Sequence, residues 1–147
     1  MCGIVGFVGD YSPKILERMN QSQVHRGPDS AGRYIDPDSG VHLAMRRLSI
    51  LDLEMGKQPM YNRDKTVVLV FNGEIFNSPE LRIELEKTGS RFRTHNSDTE
   101  VILRAYEQEG VECIRRFNGM FAFALYDKRL GRLVLARDRV GIKPLYY

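Results

Sequence analysis

Cysteine, histidine and long apolar runs are all scarce in this chain, and each scarcity excludes something. Among 147 residues there are two cysteines, Cys2 and Cys113, and three histidines, His25, His42 and His95. Position 2 is a poor anchor for a stabilising disulfide, because a terminus frays unless it is tied down, so a reducing, cytoplasmic setting is expected. No apolar stretch approaches the roughly 20 residues that span a bilayer, and the N-terminus carries neither the basic segment nor the cleavage site of a signal peptide. A long run of one charge is also missing: 22 Lys and Arg are interspersed with 19 Asp and Glu, for a formal charge of +3. That balance is too mild to imply a nucleic-acid partner. The most basic stretch, Lys128 to Arg139, contains Leu133, Val134 and Leu135 and reads as a strand with a solvated face. Internal repeats, low-complexity segments, linkers and glycine-rich phosphate loops are absent as well.

What remains is an ordinary globular composition, 42% hydrophobic and 28% charged, sized for a single domain and one core. The chain opens on an apolar, glycine-interrupted strand, Cys2 to Gly9, which builds the terminus into the core. Ile15, Leu16 and Met19 fall at helical spacing within 13–25, and that helix ends before Gly27-Pro28-Asp29. Strands are expected near 32–35 and 41–50. Thr66 to Phe71 is a nearly unbroken apolar and β-branched run suited to a strand covered on both faces, and Asn72-Gly73 reads as the tight turn that ends it. Ser78-Pro79-Glu80 opens a helix with Ser78 as N-cap, and Leu81 and Leu85 lie on one face of it. Ser97-Asp98-Thr99-Glu100 fits a capping box, with Glu100 in the capping role and Ile102, Ala105 and Tyr106 as the buried stripe. A short helix near 114–117 precedes strands at 120–126 and 132–136 joined by a hairpin, and the chain ends on an aromatic, strand-like segment, 144–147. The order is α+β.

Cys2 follows the initiator methionine. It is small enough for aminopeptidase removal of Met1, which would place a thiol and a free α-amine on one residue. Such an amine titrates at about 7.7 to 8.0, so near neutral pH part of it can accept the thiol proton, directly or through a water. No catalytic histidine is then needed, and none of the three sits in a recognisable Cys-His-Asn arrangement. Taken alone, Cys2 is weak evidence and reads first as a small buried residue of the first strand.

The runs Cys2 to Phe7, Arg26-Gly27-Pro28-Asp29, Arg47-Leu48-Ser49-Ile50, Asn72-Gly73-Glu74-Ile75, Ser97 to Glu100, Gly119 to Phe123 and Ala136 to Tyr147 together resemble the class II glutamine amidotransferases, in order and over essentially the whole chain. Within that class, the proline in Arg26-Gly27-Pro28-Asp29, the segment Arg47 to Leu53 and the ending Gly141 to Tyr147 look like the glutaminase domain of glutamine-dependent asparagine synthetase. Met45 and Phe76 depart from that pattern, at positions where relatives often carry His and Tyr.

The resemblance implies an N-terminal nucleophile hydrolase fold, a four-layer αββα sandwich of antiparallel sheets, spanning 1–147 and incomplete at the C-terminus, with the synthetase domain absent. It implies hydrolysis of L-glutamine to glutamate and ammonia by Cys2, with Asn72 and Gly73 as oxyanion donors. It assigns Arg47 to the substrate carboxylate, Asp98 with Glu74 to its ammonium, and Leu48, Ser49, Ile50 and Leu51 to the pocket wall. A guanidinium suits a carboxylate, and a carboxylate pair suits a cation. Arg46, next along the same strand, is expected on the exposed face. The Arg26–Asp29 loop positions the nucleophile, and Cys113 is a core thiol. No metal or cofactor is expected in this domain; ATP and Mg belong to the synthetase domain that would accept the ammonia. Strands missing at the C-terminus would leave sheet edges exposed, so low stability or self-association is expected, and a homodimer is among the expected partners. Two rivals stand beside this reading: a non-catalytic glutamine-sensing or partner module of the same fold, and an amidase for a bile-salt or penicillin-type substrate.

Overall fold

In the computed structural model, residues 2–48 and 56–147 are described. Two antiparallel sheets form the middle of the molecule. The first has the order β1-β3-β2, from β1 (Gly3–Val8), β2 (Ser30–Asp36) and β3 (Val41–Arg47). The second has the order β4-β5-β6-β7, from β4 (Met60–Tyr61), β5 (Val67–Ile75), β6 (Gly119–Asp127) and β7 (Arg132–Arg137). Helix α1 (Pro13–Gln21) packs on β1 and β3, while α2 (Ser78–Lys87) and α3 (Asp98–Glu109) lie on the second sheet. The layers are therefore helix, sheet, sheet, helices.

The unbroken apolar run of β5 is explained by its two covered faces. Val67, Leu69, Phe71 and Ile75 join Leu81, Leu85, Ile102 and Leu103 in a core beneath α2 and α3. Val68 and Val70 join Leu43, Met45 and Tyr126 between the sheets, with Cys2 and Ile4 packed against them. Period-two geometry divides one strand between two cores.

Several local expectations are corrected. The first helix stops at Gln21, and 22–26 form turns. Asn72-Gly73 is not a turn: β5 continues to Ile75, with Asn72 opposite Ala122, Gly73 opposite Phe121 and Ile75 opposite Gly119. The strands approach so closely there that a Cβ on Gly73 would lie 2.1 Å from the Met120 carbonyl oxygen, and one on Gly119 would lie 2.2 Å from that of Glu74. Tertiary pairing thus overrides the local turn preference of Asn-Gly.

The N-cap of α2 is Asn77, not Ser78, and its side chain serves the neighbouring 3₁₀ segment Gly110–Arg116 instead of the helix. Asn77 Nδ2 donates to the Arg116 carbonyl at 3.0 Å and Oδ1 accepts from the Asn118 N–H at 2.9 Å. Ser97 caps α3 without a side-chain hydrogen bond, so the capping box does not form. Glu100, fully buried, instead accepts from the Arg93 and Thr94 N–H groups, the Thr94 hydroxyl and Arg104.

Arg46 is half-buried instead of exposed. Its Nε donates to the Asn20 carbonyl at 3.3 Å and its guanidinium also reaches Gln21. Residues 144–147 form no strand; Leu145, Tyr146 and Tyr147 line an apolar groove of about 260 Å³ with β1 and β7. Strand β4 carried no visible signal, because two residues are too few for any periodicity. No helix of the described residues is long and apolar enough to cross a membrane.

Candidate active site

Pairing with β3 fixes the first strand, Gly3 opposite Arg46, and so holds the otherwise frayed terminus in place. Cys2, half-buried, precedes it. Its Sγ donates a long hydrogen bond to the Leu48 carbonyl at 3.8 Å, and its own carbonyl accepts from Arg26 Nε at 3.2 Å. The Arg26–Asp29 loop is seated against the end of β3: a Cβ on Gly27 would lie 2.5 Å from the Arg47 nitrogen, and the Asp29 N–H donates to the Arg47 carbonyl at 3.1 Å.

Cys2, Arg47, Leu48, Gly73, Glu74 and Asp98 all line one cavity of about 170 Å³. They arrive from the head of β1, the end of β3, the extended part of β5 and the first turn of α3. Arg47 is buried. Asp98 is buried too, and its Oδ2 accepts the Ile75 N–H at 3.1 Å, which ties the helix start to the strand end. Burial raises the Asp98 pKa above the ordinary carboxylate value; hydrogen bonds from backbone N–H groups pull it partly back, and the nearby Glu74 charge adds to the rise.

Asn72 stands apart from this group. It lies on the sheet-facing side of β5 and lines an adjoining cavity of about 330 Å³ with Gly3, Gln23 and Arg26. Gly73, without a side chain, offers only its backbone to the first cavity, while the Asn72 side chain stands on the β5 face shared with Val68 and Val70. Ser49, Ile50 and Leu51 lie outside the described residues.

The cavity also contains residues that the sequence reading passed over. Buried Lys143 lines it, delivered by a loop folded around Asp138, which accepts the N–H groups of Phe121, Ile142 and Lys143 at 3.1, 2.8 and 2.9 Å. Gln58 bridges two elements of the wall: its Oε1 accepts the Phe71 N–H at 2.7 Å and its Nε2 donates to Thr99 Oγ1 at 3.4 Å. Lys143 fell within the quoted motif Gly141 to Tyr147, whereas Gln58 had no sequence signal.

The histidines are elsewhere. His42 is buried, stacks on Phe7 at 4.4 Å and places Nδ1 2.9 Å from the Gly40 carbonyl. His25 and His95 are exposed. Cys113 is buried in the helix-side core, where burial pushes its thiol up to about 12, with Glu109 adding to the shift. No group of His, Cys, Asp and Glu among the described residues is arranged to hold a metal ion.

The glutamine amidotransferase domain family matches this chain over residues 1–147. The chain belongs to that family. As an amidotransferase domain it is 46% identical over its full length to the glutamine-hydrolyzing asparagine synthetase 1 of Bacillus subtilis, of which it covers 24%. It is 45% identical over 99% of its length to the corresponding synthetase 2 of Arabidopsis thaliana, covering 25% of it, and 42% identical over 99% to that of Sandersonia aurantiaca, covering 28%. The amidotransferase domain thus spans about a quarter of the length of the curated relatives it matches. In fold it resembles the solved structure of glutamine phosphoribosylpyrophosphate amidotransferase from B. subtilis complexed with ADP and GMP, with a TM-score of 0.71 and 21% identity, over 93% of this chain and 36% of that one.

Proposed function

We propose that this domain hydrolyses L-glutamine to glutamate and ammonia with Cys2 as nucleophile, and that it supplies the ammonia to an asparagine-synthetase-type amidation of aspartate. The observation that carries this reading is the convergence of Cys2, Arg47, Glu74 and Asp98 on one small cavity. At about 170 Å³ it suits a free amino acid and falls below the roughly 300–1,000 Å³ of typical larger-ligand pockets.

In this mechanism the Cys2 thiol, deprotonated by its own α-amine once Met1 is removed, attacks the carbonyl carbon of the glutamine side-chain amide. The C–S bond forms and the carbonyl oxygen becomes an oxyanion. The Gly73 N–H meets it from the cavity, while the Asn72 amide reaches it from the Gly3 side by turning about its side-chain torsions; each donor supplies about 2.7–4 kcal/mol. On collapse the C–N bond breaks as the amide nitrogen takes back the proton from the α-ammonium, and it leaves as ammonia. Water then cleaves the thioester, releasing glutamate and the thiol.

Arg47 pairs with the substrate α-carboxylate in a bidentate fork, and Asp98 with Glu74 takes the α-ammonium. Leu48 forms part of the wall. A synthetase domain or subunit that uses ATP and Mg would accept the ammonia, which makes the whole assembly a ligase. Cytoplasmic residence and a homodimer belong to the same proposal.

The test is glutamate release from L-glutamine by protein whose first residue is shown by mass spectrometry to be Cys2. Release that disappears in Cys2→Ala is the expected result. Equal release by the variant would refute the nucleophile. Silence from both folded, processed proteins would favour a non-catalytic glutamine-binding module.

A further inference from the structure

A second, roomier cavity of about 630 Å³ opens beside the far half of α3, between the linker after α2 and the turn joining β4 to β5. It has no lining residue in common with the cysteine cavity, although α3 serves both: Asp98 and Thr99 face the first, and Arg104, Glu107 and Gln108 the second.

Its walls carry Arg63, Arg91, Arg93 and Arg104 against Asp64 and Glu107. Arg104 is compensated from within, donating to Glu100 at 2.9 Å and to Glu107 at 2.7 Å. Arg93 is half committed, with one nitrogen on the Tyr61 carbonyl at 2.6 Å and its Nε 3.9 Å from Glu100. With Glu100 included, four positive groups face three negative ones, a balance of +1. Lys57 and Lys65 line an adjoining cavity that shares Arg63 and Arg93, and bring the whole concavity to +3. Arg63 and Arg91 are exposed, and neither makes a hydrogen bond or ion pair with another described residue.

Guanidiniums that converge on a concavity without a partner among the described residues are fork-shaped donors. Their geometry matches phosphate oxygens bidentately. The volume lies within the roughly 300–1,000 Å³ range of small-molecule sites, and the charge is gathered in a hollow instead of along the stripe that a nucleic-acid strand would need. We propose that this concavity binds a small phosphate-bearing anion at a site separate from the cysteine cavity. The proposal does not depend on the glutaminase reading.

The experiment titrates inorganic phosphate, and separately AMP, into the isotope-labelled 147-residue chain at fixed ionic strength, following backbone amides by NMR. Saturable shifts are expected at 88–93 and around Arg63 and Arg104. The exposed double variant Arg63→Gln, Arg91→Gln should bind at least tenfold more weakly with an unchanged melting midpoint. Tighter binding of AMP would identify a nucleotide as the source of the phosphate, and equal affinities a free phosphate group. Shifts that never saturate, or equal affinity in the double variant, would overturn the proposal. So would a single-stranded RNA that binds more tightly with shifts spread beyond the cavity, which would assign the charge to nucleic acid.

Discussion

Replacing Gly73 with alanine tests whether the close approach of β5 to β6 is a catalytic requirement. The added Cβ would lie 2.1 Å from the Met120 carbonyl oxygen, where ordinary contact begins at 3.4 Å, a shortfall of 1.3 Å that backbone must absorb because no flexible side chain is involved. The φ of +153° adds strain that an L side chain rarely accepts. Overpacking of this kind costs about 1–3 kcal/mol. With an unfolding entropy of about 2.1 cal/mol/K per residue over 147 residues, the melting midpoint should fall by roughly 3–10 °C. The larger effect is expected on catalysis. Displacing the strand by about an ångström carries the Gly73 N–H away from the oxyanion, and losing one such donor costs about 10²–10³ in kcat. Circular dichroism melts beside steady-state glutamate release separate the two effects. A folded Gly73→Ala protein that retains more than about a third of wild-type kcat would refute the reasoning.

Two further substitutions read the buried carboxylates in opposite directions. Because burial raises the Asp98 pKa, the folded state binds that proton more tightly than the unfolded chain, and stability declines as pH rises from the unfolded value through the folded one. Asp98→Asn, permanently neutral and still able to accept the Ile75 N–H, should therefore melt no lower than wild type at pH 7 while its KM for glutamine rises about tenfold or more; a lower midpoint with unchanged KM would contradict both roles. Burial alone would raise the Glu100 pKa as well, but hydrogen bonds from Thr94, Arg93 and Arg104 outweigh it and hold the carboxyl below its ordinary value. Its contribution is present above the unfolded pKa of about 4.3 and is lost as pH falls through the depressed folded value. Glu100→Ala leaves several buried donors without an acceptor and should cost about 3–5 kcal/mol, or roughly 10–16 °C, a gap that narrows in acid; a loss under about 3 °C at pH 7 would show that the network is dispensable.

What could be read from the chain was whatever periodicity or terminus chemistry encodes. The apolar run of β5 announced a strand covered on both faces, and Leu81 with Leu85 announced the buried side of α2. The errors fell where distant residues decide local form. Asn72-Gly73 has turn chemistry, yet Gly119, far along the chain, supplies the space that keeps both in a strand. Glu100 has the spacing of a capping box, yet Arg93, Thr94 and Arg104 claim its carboxylate. Cys2, Arg47, Leu48, Gly73, Glu74 and Asp98, distant in sequence, line one cavity, whereas Asn72 opens onto the neighbouring hollow. Gln58 was invisible because bridging β5 and α3 depends on their packing and on no local pattern.

The doubly covered β5 has one more consequence, for how the strand finds its alignment. In most sheets a one-residue slip is forbidden because it would expose the apolar side chains and bury the polar ones. From Val67 to Phe71 both faces are equally apolar, so hydrophobicity hardly distinguishes one alignment with β6 from the next. The narrow places at Gly73 and Gly119 supply the missing criterion: a shifted strand would press a side chain against a backbone carbonyl. The same absence of a Cβ that lets the cavity reach the backbone also acts as a key, admitting β5 against β6 in a single position.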